Sequence, residues 1–419
     1  METRHTIEIS RPRTSVRVLP RLSRSAGFWA VAFSFFVVTA FSRAPSSLYG
    51  LYEQREHLSS LTITFVYAVY AVGVVVGLLL AAHVSDWYGR RAVLLPAIAV
   101  TIAAATLFLL WMSVTGLFIA RILTGIGVGA AVATATAFIT DLDAAGASPP
   151  TRRAGIVSTV ANIGGLASGP LVAGVLARYE PHGLTLPFQV FLVALVLGAI
   201  AVALAPEGHP PLHPRPAYHP QKPSLPANAR RPFTAGCAGV FLCWAVAGLF
   251  AGLAGAFLAG PLHHPSPALC GLTIFLSFGA GVIVQSTTTS WAAHRLVAAG
   301  IVPALIGLGL LVASAWTSPP SLGLFLAGGI VCGAGSGAIF RGSLTIVISA
   351  SDPTDRAGVL AAFFIAAYTG LSIPVVGLGI ALQHVTPRMT LLAFALIVGL
   401  GILAAAPVLV RPPREGSQP

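Results

Sequence analysis

Twelve long apolar stretches constrain the fold of this chain more than any other feature. A helix that crosses the hydrocarbon core of a bilayer needs roughly 20 mostly apolar residues. The apolar runs are continuous and do not alternate with polar residues, which favours helices over the strands of a membrane barrel. We therefore predict an all-α membrane protein. The predicted spans cover residues 27–47, 61–83, 92–114, 117–140, 154–177, 186–206, 233–258, 269–289, 296–316, 322–349, 359–382 and 389–410.

The composition excludes a water-soluble enzyme. Charged residues make up only 9% of the chain, whereas a soluble domain carries about 25%. Four cysteines in 419 residues exclude a disulfide scaffold, and no Cys/His cluster suggests a metal. The spans also lack paired carboxylates and a Ser/Lys arrangement, so we expect neither an enzyme nor a bound cofactor.

The positive charge is a signal of membrane topology. Of the 24 Lys and Arg residues, eighteen fall in the terminal and loop segments on one side of the membrane. The opposite side carries Arg43, Arg55, Arg178 and Arg388, while Arg121 and Arg341 lie within spans. This bias predicts a multi-pass protein of the cell membrane with both termini in the cytoplasm. It requires no nucleic acid as a partner.

The chain divides into two related halves. We predict a cytoplasmic tail (1–26), a six-helix bundle (27–206), a cytoplasmic proline-rich linker (207–232), a second six-helix bundle (233–410) and a cytoplasmic tail (411–419). The segment GLFIA at 116–120 matches GLFLA at 323–327, and the glycines 125, 127 and 129 correspond to those at 333, 335 and 337. Internal repeats of this kind are typical of secondary transporters.

The most specific motif lies between the second and third spans. Residues 82–91, AHVSDWYGRR, resemble the loop signature G-x-L-a-D-R-x-G-R-R of the major facilitator superfamily. Asp86, Gly89, Arg90 and Arg91 match that signature. The resemblance implies a cytoplasmic gate, in which Asp86 pairs with an arginine or a helix N-terminus of the other half. The alternative is that the two arginines only set the topology.

Two further motifs extend the resemblance. Arg121 followed by Gly125, Gly127 and Gly129 resembles the family's R-x-x-x-G-x-G motif. The run Gly165, Gly169 and Pro170 is similar to the G-x-x-x-G-P motif of the twelve-span drug/proton antiporters. The resemblance implies twelve helices in two pseudo-symmetric six-helix bundles, with the small residues as packing or pivot positions. A generic small-residue packing face remains the alternative.

Few polar residues lie at mid-depth in the spans. The candidate substrate-binding residues of a central cavity are Arg121, Arg341, Asn162, Gln285, Tyr67, Tyr70 and Tyr368. Two arginines without a carboxylate at mid-membrane favour anionic or zwitterionic substrates. Proton coupling stays open, because only boundary carboxylates such as Asp86, Asp141, Glu53 and Glu56 are available to carry a proton.

The sequence as a whole predicts a monomeric secondary active transporter in a lipid bilayer. We expect alternating access and efflux of a small drug-like or metabolite molecule. An uptake symporter or uniporter for a sugar or organic anion is the alternative within transport. Outside transport, a membrane sensor or scaffold remains.

Overall fold

The computed structural model describes residues 21–81, 84–144, 152–179, 183–208, 224, 230–351 and 356–411. Most of the predicted linker (207–232) lies outside these ranges, as do most of the predicted tails (1–26 and 411–419) and Ala82 of the loop motif. The described residues form no strand. The helices are α1 (Arg24–Arg43), a 3₁₀ turn (Ala44–Ser47), α2 (Tyr49–Glu56), α3 (Ser60–Ala81), α4 (Val84–Tyr88), α5 (Arg90–Leu110), α6 (Val114–Ala144), α7 (Arg152–Thr159), a π-helical turn (Val160–Gly164), α8 (Gly165–Tyr179), α9 (Leu186–Leu204), α10 (Arg230–Ala259), α11 (Pro267–Thr287), α12 (Ala293–Trp316), α13 (Leu322–Ser349), α14 (Arg356–His384) and α15 (Pro387–Leu409).

The twelve predicted spans are confirmed. Within the described ranges, twelve helical segments are long and apolar enough to cross a bilayer, and α7, the π-helical turn and α8 together form one of them. The largest difference is length, since α6 has 31 residues and extends past the predicted span at both ends. Hydropathy detects only the part of a helix that lies in hydrocarbon, and α6 continues into a polar stretch that contains Asp141 and Asp143.

The helical bundle has two ends, which we call the linker end and the far end. The linker end is where α9 ends at Leu204 and α10 begins at Arg230. The far end is where α1 ends at Arg43 and α10 ends at Ala259. We refer to α1–α9 as the first half and to α10–α15 as the second half.

Glycines on α6 permit direct backbone contact with two neighbouring helices. A Cβ atom built on Gly125 or Gly129 would lie less than 3.0 Å from backbone atoms of α3, and one on Gly127 would meet Thr101 of α5. The two-residue spacing therefore serves two helix faces, with α3 on one and α5 on the other. Close approach through small residues replaces the hydrophobic driving force that is missing between helices in lipid.

The same contacts recur in the second half, on α13. Gly333 and Gly337 lie against α11, while Gly335 lies against α12. The glycines that match in sequence thus occupy matching positions in the packing. This agreement supports the internal repeat predicted from sequence.

The two halves touch at the far end. Gly271 of α11 lies against the carbonyl oxygen of Pro170 on α8, and Gly379 of α14 lies against Thr64 of α3. Gly165 and Gly169 use another face of α8 to contact α1. The predicted pivot residues therefore join α8 to α1 within one half, with Pro170 at the contact between halves.

We expect Gly125→Ala to destabilise the protein. The added methyl group would collide with the carbonyl oxygen of Tyr70 on α3, and such overpacking costs about 1–3 kcal/mol. Thermal unfolding followed by circular dichroism in detergent measures the loss. The matched control is Gly309→Ala, because Gly309 lies on an exposed face of α12 with open space around it. Equal stability of the two variants would contradict the close contact between α3 and α6.

Candidate functional site

A cavity of about 470 Å³ lies between the two halves. It is lined by α1, α3, α6, α7, the π-helical turn and α8 of the first half, and by α10, α11, α13 and α14 of the second. Its walls run from Thr140 near the linker end to Arg43 towards the far end. The volume falls within the range of small-molecule sites, which is roughly 300–1,000 Å³.

Arg43 forms the inner end of this cavity. Its side chain is only 1% exposed, yet it is one of the lining residues. Its Nη1 donates a hydrogen bond of 2.6 Å to the Tyr67 hydroxyl. The guanidinium carbon lies 5.5 Å from the ring centre of Tyr70 and 5.7 Å from that of Phe278. The Nε atom is buried and has no hydrogen-bond partner among the described residues.

Arg121 lies behind Arg43 and binds the backbone of the preceding residue, Ser42. The Arg121 side chain is fully buried, and its Nη1 donates a hydrogen bond of 2.6 Å to the carbonyl oxygen of Ser42. Its guanidinium carbon is 4.6 Å from the ring centre of Tyr70. Tyr70 is thus within cation–π distance of both arginines. Arg121 is not a lining residue of the cavity, which differs from the sequence-based expectation.

Arg43 does not lie in a loop on the non-cytoplasmic side, where its position in the sequence predicted it. The predicted first span, 27–47, already contained this residue. In the structure the chain continues past Arg43 as the 3₁₀ turn Ala44–Ser47, so this arginine remains within the bundle. The signal was its position inside the apolar stretch, four residues before the end.

Three of the seven predicted cavity residues line the cavity, namely Asn162, Gln285 and Tyr368. Asn162 lies in the π-helical turn Val160–Gly164, a feature that often marks a functional site in a helix. Tyr67 and Tyr70 are buried and pack against the two arginines. They are therefore part of the support for Arg43 and not of the cavity wall.

Arg341 occupies a different environment from the one predicted. Its Nη1 donates a hydrogen bond to the carbonyl oxygen of Gln285, and its Nη2 lies 3.4 Å from that of Thr289. Gln285 lies in the last turn of α11 and Thr289 follows its C-cap, at a helix C-terminus where cations are favoured by the helix dipole. Arg341 is not a lining residue of the cavity, and its side chain ties α13 to α11.

The two halves contribute chemically different walls. Every aromatic lining residue belongs to the second half, and the set is Trp244, Phe278, Phe340, Phe364 and Tyr368. The first half contributes hydroxyl and amide groups from Thr136, Thr140, Ser158, Thr159 and Asn162, together with the cation of Arg43. Both halves also contribute other groups, with Gln285 and Ser336 from the second half and Val74 and Leu166 from the first. Among the described lining residues there is no Asp or Glu. The cavity is therefore aromatic on the side of the second half, has polar groups from both halves, and is cationic at its inner end.

The loop motif forms a charged cluster at the linker end of the first half. Arg90 contacts Asp86 and also Asp141 of α6, with Nε 2.9 Å from Oδ2 of Asp141. Gly89 has a φ of +95°, a left-handed conformation that favours glycine and turns the chain into α5. The turn brings Arg90 to the side of α6 and fixes α5 relative to it.

Glu207, just after α9, completes the cluster. Its carboxylate accepts a hydrogen bond of 2.7 Å from the backbone N–H of Arg90, the first residue of α5, and its Oε2 lies 3.9 Å from Nε of Arg91. A carboxylate at a helix N-terminus is stabilised by the helix dipole. The sequence predicted that Asp86 pairs with the other half. Among the described residues, the ion-pair partners of Asp86, Arg90 and Arg91 lie in the first half or directly after α9.

Glu53 is a half-buried carboxyl at the far end. It lies on α2, outside the spans, and burial raises the pKa of its carboxyl group, while a hydrogen bond with Ser60 lowers it. Its neighbour on the same helix, Glu56, is exposed. Within the described ranges, no three His, Cys, Asp or Glu side chains come together as a metal site would require.

Comparison with known proteins defines the family. A model of the Major Facilitator Superfamily matches residues 31–318, which is more than half of the chain. The crystal structure of the nucleoside transporter NupG superposes with a TM-score of 0.68 at 13% identity, covering 90% of this chain and 99% of that one. No curated protein sequence matches the chain. The structural likeness supports the twelve-helix fold, and the family match supports secondary transport of a small solute.

We expect Arg90→Ala to lower the free energy of unfolding by about 1–3 kcal/mol, because it removes charge-assisted hydrogen bonds at a mostly buried site. The Arg90 side chain is 11% exposed. The control is Arg55→Ala, since the Arg55–Glu56 pair is exposed on both sides and should contribute almost nothing. Circular dichroism on thermal unfolding compares the two. A loss no larger for Arg90→Ala than for the control would show that the cluster does not brace the first half.

Proposed function

The chain belongs to the major facilitator superfamily, and from that premise we propose a secondary active transporter that exports a small organic anion or zwitterion by alternating access. The observation that carries the proposal is Arg43, a buried cation at the inner end of the cavity with an unpaired Nε. None of the lining residues in the described part of the chain is a carboxylate that could neutralise it. The substrate would supply the negative charge that pairs with Arg43.

The buried guanidinium of Arg43 has no counter-ion among the described residues. A buried ion that lacks a counter-ion costs several kcal/mol, and Arg121 adds a second buried cation beside Tyr70. An anionic substrate group in the cavity would offset part of that cost, because a guanidinium binds carboxylates through charge-assisted hydrogen bonds. A neutral solute would leave the cost in place.

The way the halves meet supports alternating access. They touch at the far end through the contacts of Gly271 and Gly379, while the cavity separates them towards the linker end. We assign the linker end to the cytoplasm of a cell-membrane protein, since most Lys and Arg residues flank it. In the opposite state, Asp86, whose side chain is 51% exposed here, is the gate residue we expect to contact the second half. We propose a monomer as the working unit.

Export is favoured by the Gly165, Gly169 and Pro170 motif, which resembles that of drug/proton antiporters. Uptake is the second candidate function. It is favoured by the likeness to NupG, a nucleoside transporter by its printed name. The direction of flux in vesicles of known orientation distinguishes the two.

We expect Arg43→Gln to weaken transport of carboxylates roughly tenfold or more in KM, with little effect on transport of their neutral amides. The expected size follows from the loss of a hydrogen bond to a charged group, which contributes about 1.5–3 kcal/mol. Flux of a panel of small carboxylates and their amides into proteoliposomes gives the measurement. Arg43→Lys should be intermediate, because lysine keeps the charge but lacks the planar donor fork.

Arg388→Gln is the matched control for this experiment. It removes the same charge near the same end of the bundle, but Arg388 is exposed at the start of α15. Folding of Arg43→Gln should be retained, since the substitution removes an unpaired buried charge. If Arg43→Gln and Arg388→Gln transported carboxylates equally well, the proposal would fail.

Glu53 is the proposed proton carrier if transport is coupled to protons. Burial raises the pKa of this carboxyl, so it holds a proton at a higher pH than an exposed glutamate does. We expect Glu53→Gln to abolish the response of flux to a pH gradient, and Glu56→Gln on the same helix to preserve it. Flux that ignores the gradient in the unmodified protein would instead favour uniport or coupling to another ion.

A further inference from the structure

Besides the cation of Arg43, the cavity has a second feature that could recognise a solute, namely its aromatic lining residues. All five aromatic lining residues lie on the second half, and three of their rings, those of Trp244, Phe340 and Tyr368, form a contact group. Trp244 lies 4.8 Å from Tyr368 edge to face and 6.1 Å from Phe340, measured between ring centres. Trp244, Phe340 and Phe364 are neither fully buried nor fully exposed, so part of each side chain remains accessible.

The aromatic wall reaches the cation at the inner end. Phe278 lines the cavity and lies 5.7 Å from the guanidinium carbon of Arg43, measured to its ring centre. Tyr368 lies 6.4 Å from Tyr70, which is within cation–π distance of Arg43. A solute that contacts Arg43 therefore lies directly beside aromatic side chains.

From this arrangement we propose that the substrates are aromatic carboxylates, with the carboxylate on Arg43 and the ring against the wall formed by Trp244, Phe278, Phe340, Phe364 and Tyr368. The inference rests on the proposed function and narrows its substrate class. Aromatic pairs in offset or edge-to-face geometry contribute about 0.5–1.5 kcal/mol beyond the area they bury. A saturated ring of the same size fills the same space without that contribution.

Polar lining groups add a feature to the expected substrate. Thr136, Thr140 and Asn162 of the first half line the same cavity as the aromatic side chains. The hydroxyls of Ser158 and of Ser336, one from each half, also line it and are buried without a hydrogen-bond partner among the residues described. Polar substituents on the substrate ring would satisfy such groups, since an unpaired buried donor or acceptor is costly.

The test uses three probes of nearly equal size: phenylacetate, cyclohexylacetate and phenylacetamide. Binding to the full chain in lipid nanodiscs is measured by calorimetry at neutral pH, where both acids are ionised. We expect phenylacetate to bind roughly two- to tenfold more tightly than cyclohexylacetate. Trp244→Leu and Phe364→Leu should each reduce this ratio, while Trp316→Leu, at an exposed position at the end of α12, should not.

The outcomes separate this inference from the proposed function. Equal binding of the two acids, with the amide much weaker, would overturn the aromatic preference and leave the anion proposal intact. Binding of phenylacetamide as tight as that of phenylacetate would overturn the role of Arg43. If all three probes failed to bind at millimolar concentrations, both proposals would be wrong. Two wall variants are used so that a folding defect in one of them does not decide the result.

Discussion

Direct contact between helix backbones at glycine is the constraint on which the rest of this structure depends. Apolar side chains gain little by leaving lipid for one another, so the helices need close packing to associate. Gly125 and Gly129 bring α6 against α3, and Gly333 and Gly337 bring α13 against α11. These four helices also supply lining residues of the cavity. The packing that builds each half thus also fixes the walls of the site.

Two sets of charges in the first half have different roles. At the linker end, Arg90 is paired with Asp86 and Asp141, and its backbone N–H is bound by Glu207. At the inner end of the cavity, Arg43 is surrounded by tyrosine and phenylalanine rings and has no carboxylate partner among the described residues, and Arg121 behind it is likewise unpaired with a carboxylate. The paired charges brace the first half, whereas Arg43, which lines the cavity, is the anion site that we propose. This difference in pairing, more than the number of charges, points to function.

Much of the fold could be predicted from the sequence, because the signals are local. Continuous apolar runs predicted the twelve spans, and the matching glycines predicted a repeat that relates α6 to α13. Only part of the site could be predicted in this way. Asn162, Gln285 and Tyr368 line the cavity, but Arg341 binds the carbonyl oxygens of Gln285 and Thr289. Depth along a helix is readable from sequence, whereas the direction of a long, flexible side chain depends on its neighbours.

The sequence by itself determined the twelve spans, the two related halves and the scarcity of carboxylates within the membrane. These properties follow from hydropathy, repetition and composition. Only the tertiary structure decided that Arg43 closes the cavity, that Arg121 lies behind it on the carbonyl of Ser42, and that the aromatic wall comes from one half. The physical reason is that these features arise from helices far apart in the chain. A cavity between two bundles has no local signature, because each helix contributes only a few residues to it.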